Sequence, residues 1–173
     1  MSGVLAILEQ RGGAWNRMSW EAFAAGREIA KATGAPLMAC VPGYAIEPLL
    51  PDLMCRDAAK VYAVSHPLLE NYTADGYTAA LEQLVKKAAP EYVVFPHTYQ
   101  VRDFAPRLAT RFGETLIADV VGLEIRDSRP VFIRQLMQGK LNGAYGHSGR
   151  GPCFVSVQAG AFAAEGLEAG TLE

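Results

Sequence analysis

Apolar residues fall along this chain in two textures. Short unbroken runs occupy residues 4–8, 37–41, 61–64 and 92–95, the third belonging to a strand that reads from Lys60 to Val64. A strand buried on both faces reads this way, because neither of its sides meets water. Between the runs the apolar positions recur at helical spacing. Ala22, Ala25, Gly26, Ile29 and Ala30 trace one such face, with Ser19 placed as its N-cap. Gly34 suits the left-handed residue just past that helix, and Pro36 keeps it from continuing. Residues 10–18 form a loop containing Gly12 and Gly13, and Pro42-Gly43 closes the second run. Residues 46–57 predict a short helix with Pro48 and Pro51 near its start, where the amides have no intrahelical partner anyway. Residues 73–89 predict a longer helix with Tyr77, Leu81, Leu84 and Ala88 on one face. Residues 103–112 complete a fourth, with Asp103 as N-cap and Pro106 in the first turn. Strand and helix thus alternate four times, the pattern of a parallel sheet with helices on both faces.

After Gly113 the pattern changes. Residues 120–125, 131–136 and 154–157 read as strands, with a further one around 141–145. Asp127-Ser-Arg-Pro130 and Gly146-His-Ser-Gly-Arg-Gly151 are turn signals between them. The expected fold is therefore α/β, a three-layer, doubly wound, mainly parallel sheet with antiparallel strands added in the C-terminal part. Residues 1–158 form one domain. Residues 159–173, rich in small residues, Gly and Glu, read as a linker or tail.

Composition narrows the function classes. Of 173 residues, 50% are hydrophobic and 20% charged, which fits a water-soluble globular domain. A net charge of -2 and a pI near 5.9 provide no basic footprint for nucleic acid. No apolar run reaches the roughly 18 residues of a membrane span, and the N-terminus lacks the pattern of a secretory signal. Cys40, Cys55 and Cys153 are widely spaced and form no Cys-x-x-Cys pair. They read as free thiols in a reducing cytoplasm, the expected location.

Candidate chemistry concentrates where the fourth apolar run meets the fourth helix. His97, Tyr99, Arg102, Asp103, Arg107 and Arg111 stand there, at the carboxyl end of a strand, where open α/β sheets place ligands and partners. Arg107 and Arg111 are four apart and share a helix face. That face is either a solvated cationic stripe or a docking face for an acidic or flavin-bearing partner, with Arg102 as anchor. Trp15 and Arg17 follow the first strand and are placed to close over a nucleotide or a protein surface. His66, His97 and His147 are isolated from one another, so no metal set is expected. Gly146 to Gly151 leads into Pro152 and a strand rather than a helix, so a hairpin turn is expected there and not a phosphate cradle. No Gly-x-Ser-x-Gly elbow is present, and no nucleophile with a convergent base can be assembled.

The order of these segments resembles the N-terminal domain of the alpha subunit of electron transfer flavoprotein. The stretch Arg102-Asp-Phe-Ala-Pro-Arg-Leu-Ala-Thr-Arg-Phe-Gly-Glu-Thr-Leu-Ile-Ala-Asp119-Val carries most of the likeness. In that family Gly-Arg-Asp-x-x-Pro-Arg-x-Ala leads through a spacer to a Ser/Ala-Asp-Val strand start. The opening Val4-Leu-Ala-Ile-Leu-Glu9 with Glu21-Ala-Phe is similar too, as are Gly139-Lys140, Phe154-Val-Ser-Val-Gln158 and Gly160-Ala-Phe162. Val101 stands where the family usually has glycine, and Gln158 where it often has arginine.

The resemblance implies an adenine nucleotide alpha hydrolase-like fold and a scaffold role. It implies a domain without catalytic residues of its own, which packs with the beta subunit and forms a base for a mobile flavin domain. FAD would belong to the complete flavoprotein, held mainly by a domain beyond this chain, with none expected on this chain alone. Electrons would pass from dehydrogenases through FAD to a membrane-bound acceptor. The chain would then be a piece of a longer polypeptide or a single-domain relative. Without its partner it would tend to pair with a second copy. The competing reading is a stand-alone adenine-nucleotide-binding module of the same fold, and a hydrolase lacks a visible nucleophile.

Overall fold

The computed structural model describes residues 3–127, 129–164 and 167. The elements in chain order are β1 (Val4–Ile7), β2 (Gln10–Arg11), β3 (Ala14–Trp15), α1 (Met18–Thr33), β4 (Leu37–Gly43), α2 (Leu50–Met54), β5 (Lys60–Ser65), α3 (Ala74–Ala88), β6 (Tyr92–Pro96), α4 (Tyr99–Arg111), β7 (Leu116–Arg126), β8 (Arg129–Leu136), β9 (Leu141–Gly146) and β10 (Cys153–Val157). One sheet of eight strands runs β5-β4-β1-β6-β10-β7-β8-β9. Pairing is parallel from β5 through to the start of β7, then antiparallel through β8 and β9. The expected three-layer architecture is present.

The runs in β1, β4 and β6 are buried because both sheet faces are covered there, whereas the run in β5 is only half-buried because β5 is the edge strand. Val4, Ala6 and Leu8 point into a core shared with α1 and α2, and Leu5 and Ile7 into one shared with α3 and α4. Gly26 of α1 lets this helix approach the sheet closely. A Cβ there would lie 3.1 Å from Leu37 Cδ1 and 3.5 Å from Ala6 Cβ. Gly34 ends α1 at φ 65° with its N–H bonded to Ala30 O, as its sequence position suggests.

Several local expectations are corrected. Ser19 lies inside α1 rather than capping it. Its hydroxyl donates to Glu9 O and accepts from Glu9 N, both at 2.8 Å, and Asn16 Oδ1 takes the Met18 amide instead. The short helix expected over 46–57 is a 3-10 turn, Glu47–Leu49, running into α2. The expected loop over 10–18 holds the β2–β3 hairpin, turned by Gly12 and Gly13 at φ 58° and 78°. The last strand, β10, is not an added antiparallel strand. It lies parallel in the middle of the sheet, between β6 and β7. Consequently residues 146–151 do not close a hairpin, because β9 and β10 are not neighbours. Of the turn expected over 127–130, Ser128 lies outside the described residues, and Arg129 and Pro130 already belong to β8.

Beyond Val157 the chain packs back on the α1 side. Gly160 N–H donates to the buried Glu21 carboxylate at 2.5 Å, and Phe162 and Leu167 are buried. Arg56 stacks on Trp20, 3.8 Å from its ring centroid, and donates to Leu167 O. Residues 165–166 and 168–173 of the expected linker lie outside the described residues.

Candidate docking surface

The chain leaves β1 for β4 and β5 on one side and returns to β6 on the other. Such a reversal opens a crevice beyond the carboxyl ends of β1 and β6. A cleft of about 610 Å³ lies there, with Glu9, Gln10, Tyr72, Thr98, Gln100 and Asp103 in its walls.

The cleft is organised around Glu9. Thr98 is the N-cap of α4, its hydroxyl accepting the Val101 N–H at 3.1 Å. The same hydroxyl donates to Glu9 Oε2, and Asn16 Nδ2 donates to Glu9 Oε1 at 2.9 Å. A carboxylate of the protein therefore stands at the positive end of α4, where a ligand anion would otherwise gain most.

Asp103 is not the cap that its type suggests. Helix α4 begins a turn earlier at Tyr99, so Asp103 and Pro106 both lie inside it. Asp103 instead accepts from the Tyr72 hydroxyl at 2.9 Å and pairs with Arg107 at 3.3 Å. Burial, with the Asp103 contact second, raises the Tyr72 phenol well above its ordinary range. Arg107 also meets Asp75 of α3 at 3.3 Å, and Arg111 meets Glu82 at 2.8 Å. Hydrogen bonding to Lys86 first, and Arg111 after it, holds the Glu82 carboxyl below its ordinary value. The cationic face of α4 is thus largely matched by carboxylates of α3.

Tyr99 is 89% exposed, and the Arg102 guanidinium lies 5.6 Å from its ring centroid. Trp15 lies on the α1 side of the sheet. It is half-buried, tilted against Trp20 at 4.9 Å, and its indole N–H donates to Asp52 at 3.2 Å. Arg17 is exposed just before α1. His97, Tyr99, Arg102 and Asp103 therefore share one rim. Arg107 sits a turn further along α4, and Trp15 and Arg17 belong to another part of the surface.

His97 follows β6 and faces β10 and β7. Its Nδ1 lies 2.9 Å from the fully buried Ser156 Oγ, and its Nε2 lies 3.8 Å from Asp119 Oδ1. Burial leads in depressing its pKa, opposed by Asp119 and aided by Arg102 and Arg134. The Ser, His and Asp types suggest nucleophilic catalysis, but a serine buried completely offers no attack path to a substrate. Asp119 sits at a bulge in β7 with φ 61°. Neither Ser156 nor Glu9 was singled out by sequence, although a serine inside an apolar run is a visible signal.

A second surface lies on the antiparallel arm, β7 to β9. Ile125, Met137, Leu141 and Tyr145 are exposed there at 47%, 72%, 55% and 37%. Every residue of β9 except Gly143 is exposed.

Among the described residues no group of His, Cys, Asp and Glu could hold a metal ion, and no helix is long and apolar enough to cross a membrane. Cys40 and Cys153 are buried free thiols. Burial raises both, the second to about 12, which keeps them in the unreactive thiol form.

A family model described as Electron transfer flavoprotein domain matches residues 4–173. The chain is 37% identical over 135 residues to the electron transfer flavoprotein subunit alpha of Thermoanaerobacterium thermosaccharolyticum, covering 75% of this chain and 41% of that one. It is 31% identical over 165 residues to the subunit of the same name from Mycobacterium tuberculosis, covering 95% and 50%. It is also 33% identical over 122 residues to the acryloyl-CoA reductase electron transfer subunit beta of Anaerotignum propionicum, covering 70% and 33%. The chain therefore spans at most half the length of these relatives.

Proposed function

The chain belongs to the electron transfer flavoprotein domain family, and on that premise we propose that it is a docking scaffold of an alpha-type subunit. In this reading it supports FAD-mediated electron transfer from dehydrogenases toward a membrane-bound acceptor, within a heterodimer with a beta subunit. The observation that carries it is the arm. Four large apolar side chains are exposed on one antiparallel extension, more apolar surface than a solvated sheet edge needs. A partner chain covering the arm would bury them. His97, Tyr99, Arg102 and Asp103 would form a polar rim of this platform, with Arg107 behind them, while Trp15 and Arg17 stand on a separate part of the surface.

Flavin fits the described residues of this chain poorly. The N-terminus of α4 is already faced by Glu9, and residues 146–151 lead into a strand rather than a helix. We assign no step through FAD to these residues. The flavin would supply the redox chemistry on another part of the complex.

The experiment is co-expression of the 173-residue chain with a family beta subunit and the remaining flavin-binding portion. Co-purification in a yellow complex is expected, and Met137→Glu with Leu141→Glu is expected to abolish it while leaving the fold intact. A colourless preparation with no beta partner overturns the reading.

The cleft beside Glu9 is the one observation that favours a nucleotide module. Its chemistry weighs against phosphate, since Glu9 and Asp103 both line it. Calorimetry with AMP, ADP and ATP tests this reading, and absence of heat with all three removes it.

A further inference from the structure

Ser156 Oγ is completely buried, so its hydrogen bonds can be counted. The Asp119 N–H donates to it at 3.3 Å, and His97 Nδ1 lies 2.9 Å away. Among the described residues, Nδ1 is the one recorded acceptor for the Ser156 hydrogen. If the serine donates, Nδ1 is bare and the imidazole proton sits on Nε2. If Nδ1 carried the proton, Oγ would accept twice and its own O–H would be buried without a partner, an arrangement that folded proteins avoid.

We propose that Ser156 and Asp119 are positioning residues that hold His97 as its Nε2–H tautomer, directed along the rim toward the Asp119 carboxylate. The bulge in β7 makes this arrangement. Where β10 advances from Val155 to Val157, β7 advances from Ile117 to Val120. The additional residue is taken up around Asp119, whose left-handed backbone (φ 61°) sends its N–H to Ser156 and its carboxylate toward His97. Asp tolerates this conformation better than most side chains.

The charged groups facing His97 are Asp119 from β7, Arg102 from α4 and Arg134 from β8, while β10 presents the uncharged Ser156. Burial and the two arginines oppose an imidazolium, and Asp119 favours one. His97 therefore offers a directed N–H without a charge at neutral pH and becomes a cation only in acid. What this means for docking rests on the reading above: the rim presents a donor to a partner's carbonyl or carboxylate. The tautomer itself does not depend on that reading.

Long-range ¹H–¹⁵N correlation spectra of the histidine-labelled 173-residue chain test the assignment. The neutral Nε2–H pattern is expected, with a titration midpoint below the ordinary 6.5. Ser156→Ala should mix the tautomers and raise the midpoint, Ser156→Thr should restore the single tautomer, and Asp119→Asn should lower the midpoint. A purely structural role would not move the midpoint in opposite directions. A wild-type proton on Nδ1, a midpoint above 6.5, or an unchanged tautomer in Ser156→Ala overturns the proposal. The wild-type spectrum alone decides the tautomer, so a variant that fails to fold does not shield it. Loss of beta-subunit binding with the wild-type tautomer in place would overturn the docking reading and leave this assignment standing.

Discussion

Strands β1, β4, β6 and β10 are buried at every residue, whereas β9 leaves all but one of its residues exposed. Both regions belong to one sheet. The inner parallel strands are closed by helices on both faces and spend their apolar surface inside the molecule, while the edge strand β5 is half-exposed. The arm has α1 packed behind its base, where Phe132 and Val120 are buried, and its outer strand keeps apolar surface free. The difference separates two kinds of residue: those of the inner parallel strands hold the fold, and those at the outer edge of the arm keep apolar side chains in solvent.

The sharpest test of this division is Phe154→Ala. Phe154 is fully buried, stacked on Phe95 at 6.5 Å and tilted against Phe112 at 5.5 Å. Its removal should cost about 3–5 kcal/mol in urea denaturation. Thr98→Ala should cost about 1 kcal/mol through the lost cap. It removes the acceptor of the Val101 N–H, so that amide should exchange its hydrogen faster, and it takes a donor from Glu9 Oε2.

A smaller effect comes from His97. Its folded pKa lies below the unfolded 6.5, so the native state binds fewer protons than the unfolded chain. The stability it contributes is complete above pH 6.5 and is lost as pH falls through the folded value. His97→Gln should flatten the pH dependence of the urea midpoint in that window. Met137→Ala should be smallest of all, within about 0.5 kcal/mol of wild type, as expected for a side chain that touches little. A loss for Met137→Ala comparable to that for Phe154→Ala would erase the distinction between the two regions.

The same contrast decides what could be read from sequence. The inner strands β1, β4 and β6 were legible because burial on both faces writes unbroken apolar runs, as in residues 92–95. The start of α4 was not, because Thr98 and Asp103 are both competent caps and only the tertiary contact with Glu9 shows which is used. The first part of β7 was hidden by Asp119, a polar residue in a left-handed conformation that interrupts the strand pattern. The place of β10 was hidden because parallel pairing leaves no local turn signal. The His97 contacts join residues 59 and 22 positions apart, and no spacing rule reaches that far. His97, Tyr99, Arg102 and Asp103 are grouped by sequence because they lie on one short segment after β6. Trp15 and Arg17 were grouped with them only because both segments follow strands.

Strand β7 pairs in one direction with β10 and in the other with β8, and its register slips on both sides near Asp119. The outer part of the arm is therefore a cantilever, clamped where Val120 and Phe132 enter the core and free where β7 runs on past β10 to Ile125. A weight hung on its tip would bend the beam at the slipped register and leave the alignment of the inner strands unchanged.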